Sequence, residues 1–290
     1  MAPGVHAGAR GAPPVHSESS LRLLPQLEAY YDAVPRSVAR VEQIGPFTLF
    51  INPGPGWPYY ARPSLGASAF AAADVQRVRA RQRALGLPET FEWVAETTPA
   101  LAAAAGAAGL AVTRHPLMVL GEHRRSGLPP ADGVEVRLAT VQDDLALLNA
   151  IARVAFAAPG TAAGSAGVEE AVAVVERDPA ALAFHHERLR AGRTVMAVAL
   201  VEGRPVGIGS HQPVGPVTEV VGVAVLPAFR RRGIAAALTG RLVDDALERG
   251  VQTVFLSAGD ETIGRVYQRV GFRRLGSACT AEPVPSNDQR

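Results

Sequence analysis

Along the chain, apolar residues alternate with polar ones in short runs and recur every three to four residues in longer ones. The first spacing marks half-buried strands and the second amphipathic helices. In the first half, Leu23, Leu24, Leu27, Tyr30, Tyr31 and Val34 recur at helical spacing. They predict a helical region over 21–44, interrupted by Pro25 and Pro35. A strand follows at 47–51, then a loop over 52–63 with an edge strand at 58–62. Helices are predicted at 68–85 and 99–108, each ended by a glycine, Gly86 and Gly109. Strands are predicted at 90–95 and 110–121.

The second half is more regular. Val134, Val136 and Leu138 alternate as a strand. Thr140 with Asp143 resembles a capping box, opening a helix that runs to about Phe156. Helical segments at 168–177 and 179–191 are followed by strands at 194–201, 205–213 and 217–226. A helix at 233–248 carries Leu238, Leu242, Val243 and Leu247 as its apolar stripe. Then come a strand at 252–257, a helix from Asp260 as N-cap to Val270, the stop signal Gly271-Phe272, and a strand at 273–281. Residues 122–133, rich in charge, Gly and Pro, read as a linker between two domains, 21–121 and 134–282. Residues 1–20 read as a disordered arm and 283–290 as a tail.

The end of the first domain can be laid on the end of the second. At an offset of 162, Trp93 falls on Phe255, Leu101 on Ile263, Gly109 on Gly271 and Leu110 on Phe272. The order strand, helix, glycine, strand is the same, which predicts a weak internal repeat. Ala105 falls on Tyr267, so the first copy lacks that side chain.

Composition narrows the function classes. At 48% hydrophobic and 19% charged residues over 290, the chain can bury a sizeable core. A net charge of +2 argues against nucleic acid as a partner. No apolar run approaches the ~18 residues of a membrane span. The one cysteine, Cys279, excludes an internal disulfide and a cysteine-rich metal site, which fits a cytoplasmic protein that uses no metal. His185 and His186, adjacent on a helix, point in different directions and read as helix surface. Trp57, Tyr59 and Tyr60 read as packing their loop onto the core or lining a pocket, and His211 as a strand residue with a minor claim to the substrate.

The stretch 217–238, VTEVVGVAVLPAFRRRGIAAAL, carries the chemistry. Val217, Val221, Val223 and Val225 read as one face of a strand, with Glu219 in the same row and Thr218 and Val220 on the other. Pro227 ends the strand, and the chain turns through Arg230, Arg231, Arg232 and Gly233 directly into a helix N-terminus. Free N–H groups and the positive end of the helix dipole there suit a phosphate. Gly233 and Ala235 let a pyrophosphate come close to the backbone.

The pattern R-x-x-G-x-A at 230–235 resembles the acyl-CoA-binding motif of the GNAT-type N-acetyltransferase superfamily. A second stretch, 259–272, resembles that family's helix with Tyr267 and Gly271-Phe272, with Asp260 standing where many members have Asn. The resemblance covers about 134–282 and implies an α/β (α+β) fold. Its sheet is mixed, mostly antiparallel and splayed, flanked by helices, with a degenerate second copy in tandem in 21–121. It implies acetyl-CoA as co-substrate. Pantetheine would pair with the backbone of Val223, Ala224 and Val225, and the pyrophosphate would sit on the N–H groups of Arg231, Arg232, Gly233, Ile234, Ala235 and Ala236, with Arg230–Arg232 adding side-chain contacts. Tyr267 at the matched position would protonate the leaving thiolate, and Glu219 would take the acceptor's proton or orient a cationic acceptor. The implied function is transfer of an acetyl group to a primary amine, on a small molecule in preference to a protein. A non-catalytic acyl-CoA-binding module is the alternative, and a homodimer built through the first half stays open.

Overall fold

The computed structural model describes residues 18–52, 54–55, 58–122 and 132–284. Most of the expected arm, linker and tail, and Trp57, lie outside the described residues. A helix, α1 (Glu18–Arg36), leads into strands β1 (Arg40–Ile44), β2 (Phe47–Ile51) and β3 (Ala61–Pro63), then α2 (Ala72–Ala84), β4 (Phe91–Val94), α3 (Leu101–Ala107) and β5 (Leu110–Leu120). The second half begins with β6 (Val134–Leu138), α4 (Leu145–Ala157), α5 (Val168–Ala173) and α6 (Pro179–Arg190). It continues with β7 (Val195–Val201), β8 (Arg204–Val214), β9 (Val217–Val225), α7 (Ile234–Glu248), β10 (Thr253–Ser257), α8 (Glu261–Val270) and β11 (Phe272–Pro283).

All the strands join one sheet, ordered β1-β2-β3-β4-β11-β5-β10-β9-β8-β7-β6. The sequence β1-β2-β3-α2-β4-α3-β5 is repeated as β7-β8-β9-α7-β10-α8-β11. The two parallel pairs occupy matching places, β3 with β4 and β9 with β10, each joined by a crossover through a helix. The last strands of the two halves are exchanged. β5 lies between β10 and β11, and β11 lies between β4 and β5. Their antiparallel ladder runs from Phe272 opposite Leu120 to Pro283 opposite Leu110. Cys279 and Ala281 of β11 are therefore packed in the core of the first half, beside Phe47, Phe91 and Trp93.

Three details depart from the sequence reading. Residues 40–44 are a strand, because Gly45 at φ 57° and Pro46 make a two-residue turn that pairs Arg40–Ile44 with β2. The helix also runs through Pro25, held by the burial of Leu24, Leu27, Tyr30 and Tyr31 against Val217 and Phe255. Each such apolar side chain contributes about 1.5–3 kcal/mol, enough to offset a weakened helix turn. At the start of α4, Thr140 and Asp143 do bond one another, but Asp144 is the N-cap and accepts from the Leu147 N–H.

Candidate active site

Three features of the backbone open the sheet at one place. β9 and β10 pair only through Thr253–Val217, Val254–Thr218 and Phe255–Glu219. Beyond Glu219, β9 runs on to Val225, while Leu256 and Ser257 of β10 pair only with β5. The two strands therefore splay from Glu219 and Phe255 onward. At the same place β9 carries a bulge: Val221 and Ala224 pair with Ser210 and Ile208, so two residues of β9 face one of β8. Gly222 supplies the φ of 64° that this needs.

The bulge corrects the expected row of valines. Before it, Thr218 faces α7, where its hydroxyl meets His211 Nδ1 at 2.9 Å, and Glu219 faces the opposite side, toward α1. After it, Val223 stands with Leu242 of α7 over Gly209. One inserted residue in a period of two changes the face, so Val217, Glu219 and Val221 lie on one side and Val223 and Val225 on the other.

A cavity of about 450 Å³ fills the opening. Val223, Ala224 and Val225 form one wall, and Ile234, Ala235 and Ala236 of α7 form another. Tyr267, with Thr262, Arg265 and Arg269, lines it from α8, and Ala158–Thr161 close it beyond α4. α4 and α7 both pack on β8 and β9, hence on opposite faces, so the cavity is bounded from both sides of the sheet. Gly233 is the N-cap of α7 at φ 74° and supplies no side chain to the first-turn N–H groups. Arg231, at φ 67°, precedes it in the same left-handed region. Non-glycine residues seldom adopt that conformation, and here it sets successive N–H groups around a concave turn suited to an anion.

The arginines of the motif divide by role. Arg230 spends its guanidinium on carbonyl oxygens of Val225, Ala155, Ala158 and Ala162, at 2.7–3.1 Å. It ties the end of α4 and the following loop to the end of β9, which occupies four of its five N–H donors and counts against the side-chain phosphate contact expected of it. Arg232 lies over the Phe229 ring, 5.8 Å from its centroid, and is not among the cavity-lining residues. Arg231 is exposed at the cavity. Asp260 accepts the Ile263 N–H at 2.7 Å as N-cap of α8 and also lies outside the lining.

Tyr267 is buried, with its ring edge-on to Phe272 at 6.2 Å. Burial pushes its phenol up to about 12, so it stays protonated across the whole neutral range. Its hydroxyl makes no hydrogen bond to the described residues. Glu219 is partly exposed and stands at the apex of the splay, outside the cavity lining. Tyr31 donates to its Oε1 at 3.0 Å. The Glu219 N–H donates to the hydroxyl of Tyr30 at 3.1 Å, and that hydroxyl donates to the carbonyl of Gln212 at 2.6 Å. Burial is the main cause that raises Glu219 to about 8, and the charge of Glu92 adds to it. The Tyr31 hydrogen bond and Arg62 act in the other direction.

His211 is fully buried between Thr218 and Asp245, at 2.9 Å from each, and binds the sheet to α7 rather than facing the opening. His185 packs edge-on to Phe184 on α6. Sequence reasoning missed the surroundings of Glu219, since Tyr30 and Tyr31 read only as an apolar stripe and Glu92 and Arg62 lie far off in the chain. It also missed Thr262, Arg265 and Arg269, although their spacing of three and four marks one face of α8.

Residues 162–272 match the family model described as the acetyltransferase (GNAT) family. The chain is 27% identical over 97 residues to the ribosomal protein bS18-alanine N-acetyltransferase of Haemophilus influenzae, covering 33% of this chain and 66% of that protein. Among solved structures it resembles a GCN5-related N-acetyltransferase from Kribbella flavida, with a TM-score of 0.67, 21% identity, and coverage of 92% of this chain and 97% of that one. It also resembles a tandem GNAT protein from the clavulanic acid biosynthesis pathway, with a TM-score of 0.50, 16% identity, and coverage of 83% and 79%. At these identities the structural likenesses show the fold alone.

Proposed function

From the premise that residues 162–272 are a GNAT-family acetyltransferase domain, we propose that the protein transfers the acetyl group of acetyl-CoA directly to a primary amine. The observation that carries this reading is the cavity in the splay. It brings the free edge of β9, the uncapped start of α7 and the hydroxyl of Tyr267 to one place. Pantetheine amides would pair with Val223–Val225, and the pyrophosphate would rest on the N–H groups from Arg231 to Ala236. Arg231, Arg265 and Arg269 supply positive charge at the rim, a task the sequence reading gave to Arg230, Arg231 and Arg232. No group of residues able to hold a metal ion occurs among the described residues, and the reading uses none.

Glu219, with a pKa near 8, takes a proton from the acceptor ammonium. The amine nitrogen then bonds to the thioester carbonyl carbon, the carbon–sulfur bond breaks, and Tyr267 gives its proton to the departing sulfur. The first half is a degenerate copy of the second. Its β3 is followed by no R-x-x-G-x-A sequence, and Ala105 of α3 stands in place of Tyr267. It holds no second acyl-CoA site in this reading.

The acceptor is a small-molecule amine in this reading. The bS18-alanine enzyme from Haemophilus influenzae, by its name, acetylates a protein alanine, so a peptide beginning with alanine belongs in the test. Calorimetry with acetyl-CoA, followed by CoA release against a panel of amino acids, polyamines, aminoglycosides and that peptide, decides the matter. Binding and turnover support the proposal. Binding without turnover on any amine favours a non-catalytic acyl-CoA-binding module, and failure to bind acetyl-CoA overturns both.

A further inference from the structure

We propose that Tyr31, on the first helix, is a positioning residue for Glu219, so that the catalytic centre is assembled from both halves of the chain. The inference rests on the reading of Glu219 as the base. Its support is geometric and comes from several contacts. The Tyr31 hydroxyl donates to Glu219 Oε1 at 3.0 Å, so the partner is the carboxylate itself and not a nearby carbonyl. Tyr30, the residue before it, receives the Glu219 N–H and bonds across to Gln212 of β8, fixing the backbone where β9 leaves β10. Both rings stand edge-on to Phe255, at 5.1 and 5.3 Å, and Phe255 is the residue paired with Glu219. Three residues of α1 and β10 thus hold one glutamate from two sides.

Behind Tyr31 the first half adds a second layer. The guanidinium of Arg62 lies over the Tyr31 ring, 3.9 Å from its centroid, and forms an ion pair with Glu92. Arg62 is 7% exposed, and its Nη1 has no hydrogen-bond partner, which is a costly arrangement for a residue with only a packing role. Among the described residues, the charged and titratable groups facing Glu219 are Tyr30 and Tyr31 from α1, Arg62 from β3 and Glu92 from β4. The adjoining strands present Gln212 and Phe255, which do not titrate. All four titratable or charged groups come from the half that carries no acyl-CoA motif. That half sets the position and protonation of the base.

The signs of the two tests are opposite. A phenol donating to Glu219 favours the carboxylate, so Tyr31→Phe removes that support and keeps the ring against Phe255. Glu92 disfavours the carboxylate, so Glu92→Gln relieves it. Infrared titration of the full chain follows the protonated carboxyl band, assigned as the one lost in Glu219→Gln, and needs no acceptor. In the wild type that band disappears with a midpoint near pH 8. In Tyr31→Phe the midpoint rises by about one pH unit, and in Glu92→Gln it falls by a similar amount. Thermal unfolding and acetyl-CoA calorimetry on the same variants show whether the fold and cofactor site persist. A band that titrates near 8 but keeps its midpoint in both variants overturns the positioning role and leaves the base reading standing. A spectrum with no such band overturns the base reading itself.

Discussion

Glu219 and Phe255 are the last partners in the parallel pairing of β9 with β10, and the sheet opens immediately beyond them. The cavity and the glutamate are therefore products of one break in hydrogen bonding. Strands that separate must leave backbone groups without partners, and a buried unpaired amide or carbonyl is costly. A ligand carrying amides of its own relieves that cost by standing in for the missing strand, which is what pantetheine offers.

The bulge at Gly222 should be required for this opening. A β-branched side chain at φ 64° is strained even in open space, and nothing lies within 4 Å of the position a Cβ would take. Gly222→Val is expected to lower stability by about 1–3 kcal/mol and to weaken acetyl-CoA binding, because β9 can relax only by shifting register. Gly222→Asn, which tolerates the left-handed conformation, should stay near wild type. Thermal unfolding and calorimetry check both, and wild-type behaviour of the valine variant would sink the role given to the bulge.

Tyr267→Phe keeps the ring against Phe272 and removes only the hydroxyl. If the phenol protonates the leaving sulfur, kcat should fall about 100-fold with little change in acetyl-CoA affinity. With burial holding the group near 12, the wild-type rate should show no loss from tyrosine ionisation up to about pH 10. Steady-state kinetics with the best amine of the panel, set against calorimetry, separates the two effects. An unchanged kcat removes Tyr267 from the mechanism.

Arg230 and Arg231 are adjacent in the motif but should fail differently. Arg230→Ala strips the carbonyls of Val225, Ala155, Ala158 and Ala162 of a shared charged donor, a loss of about 2–4 kcal/mol in stability. Lysine cannot reproduce the fork, so Arg230→Lys should not restore it. Arg231→Ala and Arg265→Ala should leave the melting temperature nearly unchanged, weaken acetyl-CoA binding several-fold, and reduce the salt dependence of that binding. The assignment is wrong if Arg230→Ala melts like wild type.

The cofactor side of this site was legible in the sequence because its parts are local. A strand, a basic turn, a small-residue helix start and a helix with Tyr267 all occur within about fifty residues, in an order that fixes where they lie. The setting of Glu219 was not legible, since Tyr31 and Arg62 reach it only through tertiary packing and read as part of a helical apolar stripe and of an edge strand. The bulge was missed although Gly222 marks it: an isolated glycine inside a strand pattern is a signal that the period of two is broken. Which arginine of the turn is spent on carbonyls was not legible either, because charge alone cannot tell a phosphate ligand from a donor that caps carbonyls. The exchange of β5 and β11 was invisible for a different reason. The internal repeat predicts the same elements twice, and either strand would satisfy the same pattern in either place.

That exchange makes the two halves interdependent. Residues 134–290 alone would lack β5, leaving the facing edges of β10 and β11 unpaired and the places of Leu117, Met118 and Val119 in the core empty. Burying those three side chains contributes about 1.5–3 kcal/mol each, comparable to the whole net stability of a small domain. The isolated second half should therefore be insoluble or unfold without a cooperative transition, and co-expression of residues 1–133 should restore a soluble complex. Cooperative melting of residues 134–290 alone, measured by calorimetry, would show that the second half closes its own sheet.

The carboxyl of Glu219 sits near 8 in the folded chain against an ordinary value of 4.5. Below about 4.5 it is protonated in both folded and unfolded chains and makes no difference to stability. Between the two values the unfolded chain releases the proton while the folded chain keeps it, so stability falls as pH rises. Above about 8 the loss is complete and constant. Glu219→Gln carries no charge at any pH, so its advantage over wild type should be absent at pH 4 and grow to a few kcal/mol at pH 9. Activity should show the reverse order. At pH 6 the wild-type carboxyl is mostly protonated and serves poorly as a base, so the two rates should lie closest there. At pH 9 the wild type should exceed the variant most. Melting temperatures and initial rates across that range check both trends, and a constant stability difference between pH 4 and pH 9 would show that the carboxyl is not held up by its surroundings.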